Sequence, residues 1–390
     1  MVFERYSNDK RVQLFYLLEK ICQKLELTDT QYQDAKGKYK AVGEWLDGGE
    51  VLHPHAPHIF PQGSMSLGTT VRPLGRDEFD IDLVCLLNLF SSRCSPEAVR
   101  KAVGERLEAN EVYKKMLEPL NRGWRLNYAQ SSKLHLDITP ATKDDGSQNG
   151  GLMVPDRKLR EWKNSHPQGY VKWFEDIAAL MPTIEFSERV VMAKVDPFPE
   201  QVPFKSILKR CVQILKRHRD LCFINNDAKN APISIILTTL AAKSYQHLVL
   251  SRRFTSELDL LFSVIQHLPD FIEERVIQGQ KIYYIPNETT SGENFAEKWN
   301  THRERAEAFF SWHKKAISDF EKLEQVEGLD GLQRLLGEEV FGERDTSVVF
   351  NDYVDVINER RRNRTLSVAS GVGLTTGIGT PVRRNTFYGK

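Results

Sequence analysis

The sequence predicts an α+β fold, a mixed sheet with flanking helices followed by a C-terminal helical domain. Three observations carry this. Apolar residues alternate with polar ones in "FDIDLVCLL", "WRLNYA" and "KLHLDIT", the period of two expected of half-buried strands. A single helical pattern, "SPEAVRKAVGERLEAN", interrupts them, and beyond Pro203 the period lengthens to that of amphipathic helices.

In chain order, residues 8–27 and 30–47 show helical spacing, the second starting at the capping residues Thr28 to Thr30 and fading at "DGGE". From "HIFPQGS" to about residue 140 the pattern is strand-like. The Gly-, Asp- and Asn-rich "TKDDGSQNGGLMVPD" is expected as a long loop beside the sheet. Four helical stretches follow, from "FKSILKRCVQILKRHRD" to "NFAEKWNTHRERAEAFFSWHKKAISDFEKL", and are expected to form an all-helical domain. After "ERRRNR" a Gly-, Ser- and Thr-rich segment loses all periodicity and buries too little apolar area to offset its backbone entropy. The expected divisions are N-terminal helices at 1–52, a palm-like sheet domain at 53–200, a helical domain at 201–360 and a disordered tail at 361–390.

Composition excludes several classes. Of 390 residues, 54 are Lys or Arg and 53 Asp or Glu, so no global field favours nucleic acid and no strong nucleic-acid binding is expected. The longest apolar runs are too short to span a bilayer and the polar start is no secretory signal, so the expectation is a cytoplasmic protein without membrane contact. Cys22, Cys85, Cys94, Cys211 and Cys222 lack zinc-site or disulfide spacing and read as reduced structural thiols.

Chemistry concentrates in "PQGSMSLGTTVRPLGRDEFDIDLVCLL". On a strand, Asp80 and Asp82 share one face while Phe79, Ile81 and Leu83 point to the core. Two carboxylates that close repel unless one is protonated or a cation intervenes, and the cation that suits oxygen ligands and phosphate substrates is Mg²⁺. Asp137, alternating with Leu134, Leu136 and Ile138 in "KLHLDITP", joins them if its strand is the neighbour. Three aspartates without histidine or cysteine fit two-metal phosphoryl transfer better than zinc hydrolysis. Gly63 allows close backbone approach to a phosphate and Ser64 adds a hydroxyl donor, besides serving as a helix cap. The plain alternative for the three carboxylates is a solvated strand face. In "HPHAPH" the prolines imply an extended segment whose rings need not converge. Tyr245, Trp299 and Trp312 read as core aromatics or as a platform for a base.

In this order, Gly63-Ser64, then Asp80-x-Asp82, then Asp137, the chain resembles the polymerase-beta-like nucleotidyltransferases. With its N-terminal helices and helical second half it resembles, over roughly residues 10 to 345, the CD-NTases, the bacterial cyclic-oligonucleotide synthases of antiphage signalling. The resemblance implies that Asp80, Asp82 and Asp137 hold two Mg²⁺ ions, or Mn²⁺, that Asp137 helps activate the acceptor hydroxyl, and that Gly63 and Ser64 bind the donor triphosphate. Lys216 in "ILKRHRD" and Ser234 in "PISIILTTL" match donor-phosphate contacts of the family, although on sequence alone Lys216 equally fits a solvated basic helix face. The stretch from Asn287 to Asn294 resembles a family segment that begins with Asn or Asp and ends in Asn. The implied substrates are nucleoside triphosphates, ATP among them, joined into a cyclic di- or trinucleotide with release of pyrophosphate. The alternatives on the same palm are a template-independent linear polymerase and a small-molecule nucleotidyltransferase; a non-enzymatic scaffold has no use for three metal-binding carboxylates. The tail, ending Gly389-Lys390, is expected to be the handle for a ubiquitin-activation-like conjugating enzyme.

Overall fold

The computed structural model describes residues 2–74, 79–128, 134–147, 149–158, 160–184, 205–225, 227–363, 367–369, 373–375 and 380–381. The chain divides into two compact units: Leu25–Ala179 with Ile272–Arg303, and Met1–Lys24 with Leu180–Phe271 and Glu304–Lys390.

The sheet unit opens with α2 (Asp29–Asp47), which follows α1 (Val2–Lys24) of the other unit. Thr28 caps α2 reciprocally: its hydroxyl accepts from the Gln31 N–H at 3.3 Å, and the Gln31 amide oxygen accepts from the Thr28 N–H at 3.0 Å. Strand β1 (His58–Gln62) leads through the single turn α3 (Gly63–Ser66) to β2 (Phe79–Phe90). Then come α4 (Pro96–Glu108), α5 (Glu111–Lys114), β3 (Leu117–Pro119), β4 (Trp124–Asn127) and β5 (Leu134–Lys143). The order across the sheet is β1-β2-β5-β4-β3, with β2 and β5 parallel and the other pairs antiparallel. A parallel pair needs a crossover, and α4 with the segments after it supplies one.

Alternation then fixes the two faces. Phe79, Ile81, Leu83, Leu126, Leu134, Leu136 and Ile138 are buried in one cluster with Val99, Val103 and Leu107 of α4 and Val42 and Leu46 of α2. Each such leucine stabilises the fold by about 1.5–3 kcal/mol relative to exposure. Asp80, Asp82 and Asp137 lie on the opposite face. Further along that face Val84 and Ala141 are buried with Phe60, Leu152 and Val154, so the carboxylates stand where a covered stretch of sheet gives way to an open one.

The Gly-rich segment departs from the expected long loop. β5 continues to Lys143, and only residues 144–151 separate it from β6 (Leu152–Asp156), which forms a hairpin with β7 (Glu161–Ser165) before α6 (Pro167–Ala178). Burial of Leu152 and Val154 outweighs the loop-like composition. "HPH" is likewise not extended: His53–His55 is a 3₁₀ turn, and strand geometry starts at His58.

The other unit is built from α1, α7 (Ile207–Phe223), α8 (Ser234–Ser251), α9 (Glu257–Gln266), α11 (Arg303–Gln325), α12 (Leu329–Leu335) and α13 (Glu343–Arg362). The second half is not helical throughout. The hairpin of β8 (Glu273–Ile277) and β9 (Gln280–Tyr284) precedes the short α10 (Glu297–Thr301), and both group with the sheet unit. Its two turn residues, Gln278 at φ 50° and Gly279 at φ 76°, have the left-handed backbone that matches strand twist.

In the tail, β10 (Ser367–Ala369) pairs with β11 (Gly373–Thr375) and β12 (Thr380–Pro381); Gly389 and Lys390 lie outside the described residues. None of the five cysteines is in a disulfide, and burial pushes the Cys85 thiol up to about 12, in keeping with unreactive structural thiols.

Candidate active site

Register brings the aspartates together. Along the parallel pair, Asp82 faces Asp137 and Asp80 faces His135, while Gln62 of β1 faces Asp82 from the other side. Asp80 is the exposed member, 57% accessible in its side chain, against 16% for Asp137. The amide of Gln62 donates to the Thr139 hydroxyl at 3.3 Å, tying β1 to β5 on this face.

The Gly63 turn closes directly against Asp82. Gly63 has φ 64°, and a Cβ placed there would lie 2.4 Å from Asp82 Oδ2, so both conformation and space require glycine. Its carbonyl accepts from the Leu67 N–H at 3.2 Å and the Ser64 carbonyl from the Thr69 N–H at 3.0 Å, which hold Ser64 in a short turn. Sequence order thus becomes proximity: turn glycine against the second aspartate, second aspartate against the third.

Sequence reasoning missed Arg125. It faces Asp137 on β4, its Nε donating to Asp137 Oδ1 at 2.6 Å and its Nη2 to Asp137 Oδ2 at 2.8 Å, with a further 3.3 Å hydrogen bond from Nη2 to Asp80 Oδ1. The hydrogen bonds to Asp137 raise its pKa against the effect of burial, so it is a permanent cation on the carboxylate face. The available signal was alternation: Arg125 lies between Trp124 and the buried Leu126, the same period that exposed the aspartates.

The carboxylates of this face offer oxygen donors alone, which fits a hard divalent cation. Among the described residues no three His, Cys, Asp or Glu side chains converge as a preformed cage. That includes His53, His55 and His58.

The remaining candidates lie in the helical unit. Lys216 is on α7 and is not on a solvated face: only 5% of it is accessible, and Arg210, Arg217 and His218 of the same helix are as deeply buried. Ser234 opens α8, and its hydroxyl accepts from Arg219 Nη1 at 3.2 Å. Asn294 caps backbone groups, accepting from the Ile285 and Ala296 N–H groups and donating to the Tyr283 carbonyl. Asn287 accepts from Thr289, through its N–H and its hydroxyl. Tyr245, Trp299 and Trp312 are buried and belong to the core.

Residues 15–177 match the Second Messenger Oligonucleotide or Dinucleotide Synthetase domain family. A c-di-GMP synthase from Roseivirga ehrenbergii is 31% identical over 98% of this chain and 99% of its own. The CD-NTase CdnG of Bradyrhizobium diazoefficiens, solved with GTP, superposes with a TM-score of 0.67 at 22% identity, over 87% of this chain and 98% of that one. CdnC of Escherichia coli, solved with a HORMA protein, gives 0.59 at 13% identity, over 83% and 96%. Among the described residues no helix is long and apolar enough to cross a membrane.

Proposed function

This chain belongs to the CD-NTase family of nucleotidyltransferases, and we propose that it joins nucleoside triphosphates into a cyclic di- or trinucleotide with release of pyrophosphate, acting in the bacterial cytoplasm in antiphage signalling. The observation that carries this reading is the register setting Asp82 opposite Asp137, with the Gly63 turn closed on Asp82. The Roseivirga relative is a c-di-GMP synthase, so GTP is the first substrate to supply and c-di-GMP the first product to seek, with ATP next.

Asp80, Asp82 and Asp137 would hold two Mg²⁺ ions, or Mn²⁺, which when bound supply positive charge to the donor triphosphate and acidify the acceptor hydroxyl. Gly63, having no side chain, lets the turn close on Asp82 and so sets the donor-phosphate turn beside the carboxylates, and the Ser64 hydroxyl donates to a phosphate oxygen. Asp137, fixed by Arg125, orients the acceptor hydroxyl and receives its proton as the oxygen attacks the α-phosphorus and pyrophosphate leaves. The same residues act again on the linear dinucleotide to close the ring. For Lys216 and Ser234 the role proposed, contact with donor phosphates, comes from the family resemblance; Lys216 is buried within its own unit, and the Ser234 hydroxyl accepts from Arg219.

The test is incubation with all four nucleoside triphosphates and Mg²⁺, phosphatase treatment, and mass spectrometry. A phosphatase-resistant cyclic product is expected. Phosphatase-sensitive oligomers would move the chain to the linear polymerases, and no internucleotide bond at all would defeat the reading.

The partner reading concerns the tail, proposed as the substrate of a ubiquitin-activation-like enzyme, with Lys390 tolerated or first trimmed from Gly389. Deleting residues 380–390 should leave synthesis in vitro unchanged and remove a higher-mass conjugate from cells carrying the native operon. A conjugate that survives the deletion would end the idea.

A further inference from the structure

The geometry points to Arg125 as a built-in counter-cation that holds the metal-binding carboxylates in the metal-free enzyme and gives up part of its grip when a divalent ion loads. This rests on the proposed two-metal function and adds to it a role for a residue outside the aspartate set.

Asp80, Asp82 and Asp137 share one sheet face, and parallel strands keep Asp82 beside Asp137. Like charges so placed repel, and relief comes from protonation or from a cation. Arg125 supplies the cation without titrating, since its guanidinium is charged at every working pH. Its fork engages both oxygens of Asp137 and reaches Asp80, so a single side chain bridges β4, β5 and β2.

The two contacts differ in strength. The bond to Asp137 is bidentate, at 2.6 and 2.8 Å, and that carboxylate is mostly buried. The bond to Asp80 is single, 3.3 Å long, and made to an exposed carboxylate. A divalent ion that needs Asp80 therefore displaces the weaker contact. The stronger one is retained and keeps Asp137 aimed. Arg125 is in this sense a positioning residue, and metal loading is an exchange of one cation for another rather than entry into a bare anionic site.

The exchange predicts opposite effects on two quantities. Without Arg125 one unit of positive charge leaves the carboxylate face, so a divalent ion should bind more tightly in the absence of nucleotide, on the order of tenfold for one unit charge at this range in a partly exposed site. The metal-free protein should at the same time melt lower, because Asp137 and Asp80 lose the guanidinium that bridges their strands, and should regain that loss when metal is added.

The experiment titrates Mn²⁺ into nucleotide-free full-length protein, following free Mn²⁺ by electron paramagnetic resonance, with melting temperatures in EDTA and in Mn²⁺. Wild type, Arg125→Gln, Arg125→Lys and Asp80→Asn are compared. The expected result is tighter Mn²⁺ binding and a lower EDTA melting temperature for Arg125→Gln, with Arg125→Lys restored toward wild type because it keeps the charge. Equal or weaker Mn²⁺ binding by a folded Arg125→Gln would overturn the exchange while leaving the two-metal reading intact. Should Arg125→Gln not fold, Arg125→Lys decides: loss of the bidentate grip at constant charge should change Mn²⁺ affinity by less than about threefold, and a larger change would overturn the proposal. Failure of the wild type to bind Mn²⁺, with or without nucleotide, would defeat the metal reading itself.

Discussion

The sheet face of β2 and β5 and the interior of the helical unit both collect charged side chains, and they treat them in opposite ways. On the sheet the carboxylates are partly exposed, and one guanidinium reaches two of them with a strong and a weak contact. In the helical unit the charges are sequestered and matched. Asp319, 1% accessible in its side chain, is bonded to His218 at 3.2 Å, Lys315 at 2.7 Å and Lys322 at 2.9 Å, and Trp312 donates to the other nitrogen of His218 at 2.9 Å. Arg217 meets Asp345 at 2.9 Å and Arg210 meets Glu19 at 3.6 Å. A buried carboxylate bonded by several donors, as Asp319 is, fixes one packing, whereas partly exposed carboxylates sharing a face keep affinity for a further cation.

The sharpest way to break this contrast is to neutralise one charge in each region. Asp82→Asn should lower product formation by about 10³-fold or more while the melting temperature in EDTA stays level or rises, because a like charge disappears. Asp319→Ala should do the reverse. It leaves the Nε2–H of His218 unmet in the interior and should cost about 3 kcal/mol in denaturant unfolding, with turnover per folded molecule unchanged. A large loss of turnover in Asp319→Ala at full stability would erase the distinction.

Gly63→Ala tests the closeness of the turn to Asp82. The left-handed backbone alone costs about 1–2 kcal/mol, and the methyl group would displace Asp82 as well. Activity should fall about 10- to 100-fold, more than stability alone explains. Wild-type activity here would mean the turn and the carboxylate do not act together.

The smallest expected effect is a pH dependence. Burial lowers the pKa of His218 despite its bond to Asp319, and burial likewise lowers His313. A depressed folded pKa means the unfolded chain takes up the proton first, so this stability is full above the ordinary histidine value of about 6.5 and declines as pH falls below it. For Asp319 burial acts upward, but its bonds from His218, Lys315 and Lys322 prevail and hold it well below the usual carboxylate range, adding a second decline below about pH 4. Melting temperatures from pH 7.5 to 5 should slope downward, and His218→Gln should flatten part of the slope. An unchanged slope in that variant would remove His218 from the account.

These contrasts also explain what the sequence could and could not disclose. The aspartates were legible because burial of Phe79, Ile81 and Leu83 leaves only one face for Asp80 and Asp82, and because Gly63 is required by its neighbour. Thr28 was legible as a cap because capping is local. Arg125 was not, since its importance arises only from cross-strand register, which the letters do not carry. Lys216 and Arg217 look like a solvated basic run, and nothing within the run reveals that distant acids such as Asp345 meet it. The β6–β7 hairpin was hidden by the Gly- and Asn-rich turn before it. The β8–β9 hairpin was hidden among helices, although Gln278-Gly279 between apolar and aromatic residues is a short turn signal.

The central claim is that Asp80, Asp82 and Asp137 form one nucleotidyl-transfer site. Its most direct test is pyrophosphate release from GTP, and from GTP with ATP, in Mg²⁺, measured side by side for wild type and Asp137→Asn at matched folded concentration. The account predicts steady release by wild type, accompanied by internucleotide bonds, and release at least about 10²-fold slower from Asp137→Asn. Comparable release by both proteins would contradict it.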